Sequence, residues 1–360
     1  MTETFGGRPL VLIGTGGLAR GLAYALATLA RTPLRLVVAG RTPERAAEVC
    51  YVTTTRAALT GAPVVAEPVP VDLTGDLTAD LSGDLVSTLA GLNPAGVVLA
   101  ASTQSPWEAT HAPSAWTSLV RSAGFGLTLP FQADFAVRTG RAVAEACPDA
   151  WFVNACFPDA VNPVLSALDV PVLCGIGNVN LLAASLRGAL RLGADEHLAV
   201  LAHHAHLHAQ PEEARAWVGG EPVAGVGGLL AAQRSTTRSE LNHVTGLAAA
   251  RVLLGVLAGE EQRVSLPGPL GLPGGYPVRL TGSRLELDLP AGLSREEAVA
   301  FNQRSAARDG VIVENDTISF TSDLTEIPKF PVHELDRVRL ELDQLRTRLR
   351  DRHPSEHPHA

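Results

Sequence analysis

Leu10 to Ala27, LVLIGTGGLARGLAYALA, is the stretch whose reading decides the fold. Leu10 to Ile13 are four apolar residues in a row, the mark of a strand buried on both faces, and GLARGLAYALATLA after them has the apolar spacing of a helix. LRLVVAGR then reads as a second buried strand, completing a βαβ unit of about thirty residues. Inside it, Gly14, Gly16 and Gly17 match a GxGxxG fingerprint with Ala19 in the third glycine's place, where a small residue lets the helix pack closely on the strand. Gly14, Gly16, Gly17, Leu18 and Ala19 are therefore candidates to cradle a pyrophosphate at a helix N-terminus, whose free N–H groups and dipole favour an anion. The plainer alternative is a strand-to-helix turn with no ligand.

The end of the second strand bears on which dinucleotide would bind. An acid usually stands there for the ribose hydroxyls, whereas this chain has Gly40, Arg41 and Thr42. Arg41 would pair with a 2'-phosphate and Thr42 would donate to it, which favours NADP(H) over NAD(H).

Composition narrows the class. The 360 residues suit two domains, and with 46% apolar and 18% charged residues and a net charge of −8 the chain has no electrostatic footprint for nucleic acid. Cys50, Cys147, Cys156 and Cys174 form no CxxC pair and read as reduced thiols. The start MTETFGGRPL lacks a basic region, and no apolar run reaches the roughly 18 residues of a membrane span. A cytoplasmic protein acting on a small molecule, without nucleic acid or membrane, is the expectation.

Further apolar strands are expected at Gly96 to Ala101 and Ala150 to Ala155, with helices between, which predicts a parallel sheet covered on both faces. Val69 to Asp72 reads as a strand end. The following LTGDLTADLSGDL reads as loop and short helix, because it lacks the ligand spacing of a calcium loop. From Pro158 the pattern becomes α+β, and SREEAVAFNQRSAARDG opens with a capping box at Ser294 and Glu297. The expected domains are 1–157, dinucleotide-binding; 158–332, catalytic; and 333–360, a helix and polar tail. Leu335, Val338, Leu342, Leu345 and Leu349 form the tail's apolar stripe, suited to its own subunit or to a partner subunit.

GTGGLA, VVLAAS, FVNACFPDAVNP, LCGIGNVNLLAASLRGAL, LAVLAHHAHLHA and GLPGGYPVRLTGSRLELDLPAG together resemble the lactate/malate dehydrogenase superfamily, which also includes the NAD-dependent family 4 glycosidases. The resemblance implies an α/β fold: an N-terminal Rossmann parallel sheet followed by an α+β catalytic domain, in a homodimer or homotetramer. It implies that Asn154 sits beside the nicotinamide and the substrate carbonyl. It also implies that Ala101, Ser102 and Thr103 begin a cofactor-side loop, with Gln104 toward the substrate, and that His204 or His206 is the acid/base. The chain departs from the family in its charges. The family's carboxylate-clamping arginine and histidine-tuning aspartate come from a segment that here reads VNLLAAS, and Ser102 to Pro113 contains no arginine. Asn178 and Asn180 remain to hold a polar substrate, with Arg121 or Arg187 to bring charge from elsewhere.

Four histidines, His203, His204, His206 and His208, crowd LAHHAHLHAQ. In a strand, His204, His206 and His208 share one face and His203 takes the other. One of them near a nicotinamide is a natural general acid/base. The glycosidase likeness implies instead a metal held by Cys174, Asn178 and His204; a third possibility is no chemical role. Asp134 and Asp159 read as helix caps or solvated charges, and His243 as a structural helix residue. The sequence thus points to an NADP(H)-dependent oxidoreductase acting on a carbonyl, alcohol or imine carbon of a metabolite other than a simple 2-hydroxy acid. The alternatives are a metal-assisted glycosidase-like enzyme and a non-catalytic NADP-binding protein.

Overall fold

In the first half of the chain, largely apolar strands alternate with helices, and the pattern builds one sheet. The computed structural model describes residues 7–73, 82–193, 195–323, 327 and 329–353. Its first half runs β1 (Leu10–Ile13), α1 (Gly17–Leu29), β2 (Leu34–Gly40), α2 (Pro43–Thr60), β3 (Val64–Pro70), α3 (Ser82–Leu92), β4 (Gly96–Leu99), α4 (Glu108–His111), α5 (Ala115–Ala123), α6 (Leu129–Ala146), β5 (Trp151–Asn154), α7 (Pro158–Ala167), β6 (Cys174–Gly175) and α8 (Asn178–Ala189). The strands pair in parallel in the order β3-β2-β1-β4-β5-β6. Val11, Ile13, Val37, Ala39, Val97 and Leu99 pack into one core, and Leu10, Leu12, Leu36, Val38 and Val98 into another, which is why these strands carry apolar residues on both faces.

The second half runs β7 (Leu198–Leu201), β8 (Arg215–Val218), β9 (Glu221–Pro222), α9 (Val226–Leu229), α10 (Ala231–Ser235), α11 (Arg238–Ala258), β10 (Glu261–Pro267), β11 (Gly275–Thr281), β12 (Arg284–Leu287), α12 (Arg295–Arg308), β13 (Val311–Glu314), β14 (Thr317–Phe320), β15 (Lys329–Pro331) and α13 (Leu335–Arg350). β7-β8-β9, β10-β11-β12 and β13-β14-β15 form small antiparallel sheets. The capping box forms at α12: the Ser294 hydroxyl accepts from Glu297 N and Glu297 Oε2 accepts from Ser294 N.

The parallel sheet continues past position 157, through β6. α13 covers its own chain: Val338, Leu342 and Leu349 join the core with Trp116 and Phe131 of α5 and α6. The Asp-rich stretch lies outside the described residues as far as Leu81. α11 is long and apolar enough to cross a membrane, but it packs into the fold against α1. At that contact a Cβ added to Gly246 would lie 2.3 Å from the Gly21 carbonyl carbon, so glycines bring the two helix backbones together and carry the start of α11 to the glycine loop.

Candidate active site

The strand order reverses between β1 and β4, and the crevice beyond their C-terminal ends is where α/β folds bind ligands. A cleft of about 870 Å³ opens there. Gly14 has φ of +131°, and a Cβ on it would lie 2.6 Å from the Ala100 oxygen, so only glycine fits. Gly16, the N-cap of α1, has nothing within 4 Å of an added Cβ, leaving room over the helix N-terminus. Gly14, Gly16, Gly17 and Leu18 line the cleft, whereas Ala19 is buried in the core and acts through helix packing alone. Arg41, Thr42 and Arg45 form the rim beyond them, with Asp72 beside them. Arg41 makes no ion pair among the described residues, and the Thr42 hydroxyl makes no capping bond, so both are available to a phosphate.

Ala101, Ser102 and Thr103 line the opposite wall. The Ser102 hydroxyl donates to Gln104 O and the Thr103 hydroxyl to Phe131 O. Gln104 reaches the cleft but its amide is committed: Nε2 donates to Glu108 and Oε1 accepts from Arg346 of α13. Burial would raise the Glu108 pKa, but the Arg350 guanidinium, joined to it by two hydrogen bonds, carries it below the ordinary carboxylate value.

Asn154 does not reach the cleft. It is fully buried, donates to Cys156 O and Asn162 Oδ1, and accepts from Cys156 N, so it splints the end of β5 instead of facing a nicotinamide. Asn180 is likewise withdrawn, accepting from Gly177 N and donating to Ser265 O. Asn178 does line the cleft, with its amide nitrogen 2.6 Å from Asp159 Oδ2.

The histidines are not a strand face. β7 ends at Leu201, and His204 to Leu207 make a single 3₁₀ turn because His203 Nδ1 accepts from Ala205 N and His206 Nδ1 accepts from His203 N. His206 does not line the cleft: it is buried, stacked on Phe301, donates through Nε2 to Glu212 O, and burial foremost holds its pKa down at about 4. His204 lines the cleft. Its Nδ1 lies 2.9 Å from Asp309 Oδ2, its backbone N donates to Asp159 Oδ1 at 2.9 Å, and its ring stacks on Phe125 with Phe157 edge-on. The buried Asp159 thus orients Asn178 and His204 together. With Nδ1 turned to Asp309, Nε2 is the nitrogen left to meet a ligand.

Positive charge enters from an unexpected element. Arg121 is exposed away from the cleft, and Arg187 donates to Gly193 O and Glu196 O. Arg234 and Arg238 line the cleft instead. Arg234 is paired with Glu213, while Arg238, the first residue of α11, makes no ion pair or hydrogen bond among the described residues; protein crowding holds its pKa below the usual arginine value. Both reach His208, whose pKa is lowered foremost by burial, then by His204, Arg234 and Arg238 against the opposing pull of Asp309. His243 is exposed and does not line the cleft; Asp134 is buried in a pair with Arg138. The metal set of Cys174, Asn178 and His204 does not assemble, because the Cys174 thiol is sealed in the core with its pKa pushed up to about 12. Among the described residues no group of three His, Cys, Asp or Glu side chains is placed to hold an ion.

Comparison with protein-family models and with curated proteins finds no match. Solved structures do match. A malate dehydrogenase from Salinibacter ruber aligns over 93% of this chain and 99% of its own at 13% identity, with a TM-score of 0.55. The fold is that of the lactate and malate dehydrogenases. A lactate dehydrogenase from a Medee basin deep-sea metagenome library aligns over 83% of this chain and 96% of its own at 14% identity and TM-score 0.53. The Cryptosporidium parvum lactate dehydrogenase, complexed with lactic acid and nicotinamide adenine dinucleotide, aligns over 84% of this chain and 95% of its own, with 15% identity and TM-score 0.52. Within this lactate/malate-dehydrogenase-like fold, Arg238, which lines the cleft, and Asp309, which holds His204 from behind the cleft wall, are the residues that reading the sequence missed. Asp309 looks like an ordinary helix end in SAARDG, and Arg238 like a helix start in STTRSE; neither carries a local signal of chemistry.

Proposed function

We propose that the protein is an NADP(H)-dependent oxidoreductase that moves a hydride to or from a carbonyl, alcohol or imine carbon of a small anionic metabolite. The observation that carries this reading is that the glycine loop and His204, whose ring is held from behind by Asp309, line one cleft, in a fold whose solved examples include dehydrogenases. The nicotinamide dinucleotide would give the hydride in reduction and take it in oxidation. Gly14, Gly16 and Gly17 take the pyrophosphate at the N-terminus of α1, and Arg41 and Thr42 take the 2'-phosphate.

His204 handles the proton. In reduction Nε2–H gives it to the substrate oxygen or nitrogen, and in oxidation Nε2 receives it. Asp309 keeps the other proton on Nδ1 and stabilises the imidazolium, and Phe125 and Phe157 keep water from the ring's faces. Arg238 binds the anionic group of the substrate. A simple 2-hydroxy acid is disfavoured because the loop after β4 and the first turns of α8 bring no arginine to the cleft.

Titration of the protein with NADPH and NADH by fluorescence, followed by a carbonyl and imine panel, tests this. NADPH should bind more tightly than NADH, and His204→Ala should retain binding while losing turnover. Failure to bind either dinucleotide would sink the oxidoreductase reading.

A further inference from the structure

A second compartment of about 400 Å³ lies beside the cleft, walled by Ser105, Trp107, Glu108, His111, Pro113 and Arg350. Ser105, Trp107 and Arg350 line both spaces, so the two are continuous. The Trp107 and His111 rings stack on one another, 10° from parallel with centroids 5.9 Å apart, and both residues line the compartment. Its two charged side chains cancel one another: Arg350 Nε and Nη2 donate to the Glu108 carboxylate at 2.6 and 2.7 Å. A ligand group there meets flat apolar surface and an ion pair whose partners are already satisfied.

The walls are preorganised by α13. Arg346 is buried, lies 3.9 Å from the centre of the Phe131 ring, and donates to Thr103 O and Gln104 Oε1. Beyond the helix, Arg352 O accepts from Ala115 N. The loop from Ser102 to α5 is therefore tied to α13 at both ends and in the middle, and little ordering remains to be done when a ligand arrives.

We propose that this compartment is a substrate subsite that takes an uncharged planar group, an aromatic or heteroaromatic ring, carried by the molecule whose reacting carbon sits at His204. The assignment rests on the oxidoreductase reading for the identity of that molecule, but not for the affinity of the compartment for a ring. A charged group would have to compete with an existing ion pair, whereas a ring gains by covering the faces of Trp107 and His111.

Indole is the probe. The full chain labelled with 5-fluorotryptophan has four tryptophans, and Trp107→Phe assigns one of its ¹⁹F signals. Indole should shift the Trp107 signal saturably, and Arg350→Ala, which removes one of the compartment's lining side chains, should weaken that response roughly ten-fold. A Trp107 signal unmoved up to the solubility of indole, or an equal response in Arg350→Ala, overturns the proposal. NADPH titrated into the same sample separates the two ideas. NADPH binding without an indole response at Trp107 removes the subsite alone, and an indole response without NADPH binding removes the oxidoreductase reading alone.

Discussion

Replacing Asp309 by Asn tests the proposed chemistry at its most specific point. The Asn side chain can still accept from His204 Nδ1 across the 2.9 Å gap, so ring orientation and tautomer survive while the negative charge is lost. Hydrogen bonds to charged groups contribute about 1.5–3 kcal/mol and neutral ones about 0.5–1.5, so removing the charge costs the difference, ~1–2 kcal/mol of transition-state stabilisation. That corresponds to a fall of roughly 5- to 30-fold in kcat/KM. His204→Ala removes the proton carrier itself and should cost about 10²- to 10⁴-fold. Both are read from initial rates of NADPH consumption on whichever panel compound is turned over, with NADPH Kd measured alongside and expected unchanged. Because Asp309 Oδ2 also lies 3.8 Å from the buried His203 Nδ1, thermal unfolding of Asp309→Asn is the control for a merely structural effect. Wild-type turnover by Asp309→Asn, with His204→Ala impaired, would refute the role given to Asp309. Wild-type turnover by His204→Ala would refute the acid/base assignment altogether.

Other expectations follow from the same geometry. Arg41→Ala should weaken NADPH by roughly 10- to 100-fold, the worth of a charge-assisted phosphate contact, and leave NADH unchanged; equal loss for both cofactors would place Arg41 elsewhere than at a 2'-phosphate. Arg238→Ala should raise the substrate KM roughly 5- to 30-fold without altering NADPH Kd, a modest range because the side chain keeps solvent access. His206, with its folded pKa at about 4 against an ordinary 6.5, binds its proton more readily in the unfolded chain. Its contribution is present above about pH 6.5 and is lost as pH falls toward 4, by up to roughly 3 kcal/mol. Urea unfolding of wild type against His206→Leu across that window should show a shallower acid-side decline in the variant.

The legible part of this protein is the part written in local chemistry. The apolar strands Leu10–Ile13, Leu34–Gly40 and Gly96–Leu99 announce a sheet covered on both faces, since only burial on two sides tolerates such runs. Gly14, Gly16 and Gly17 mark the turn because a side chain at Gly14 would strike the next strand's connection. Arg41 and Thr42 follow from their place after β2. These signals need only neighbours in sequence, and the strands and the glycine turn stand in the structure as read. Asn154, Asn180 and His206 are residue types that suit chemistry, but packing commits their hydrogen-bonding groups to the protein itself. What the tertiary structure alone decided is the company each group keeps. His204 and Asp309 stand 105 positions apart, and their pairing depends on how α12 ends against the 3₁₀ turn after β7. Arg238 reaches the cleft because Gly21 and Gly246 let α1 and α11 touch, and Arg350 reaches it because α13 folds back onto its own chain. Periodicity tells which face of an element is buried; it does not tell which distant element will bury it, and the second choice assembled this cleft.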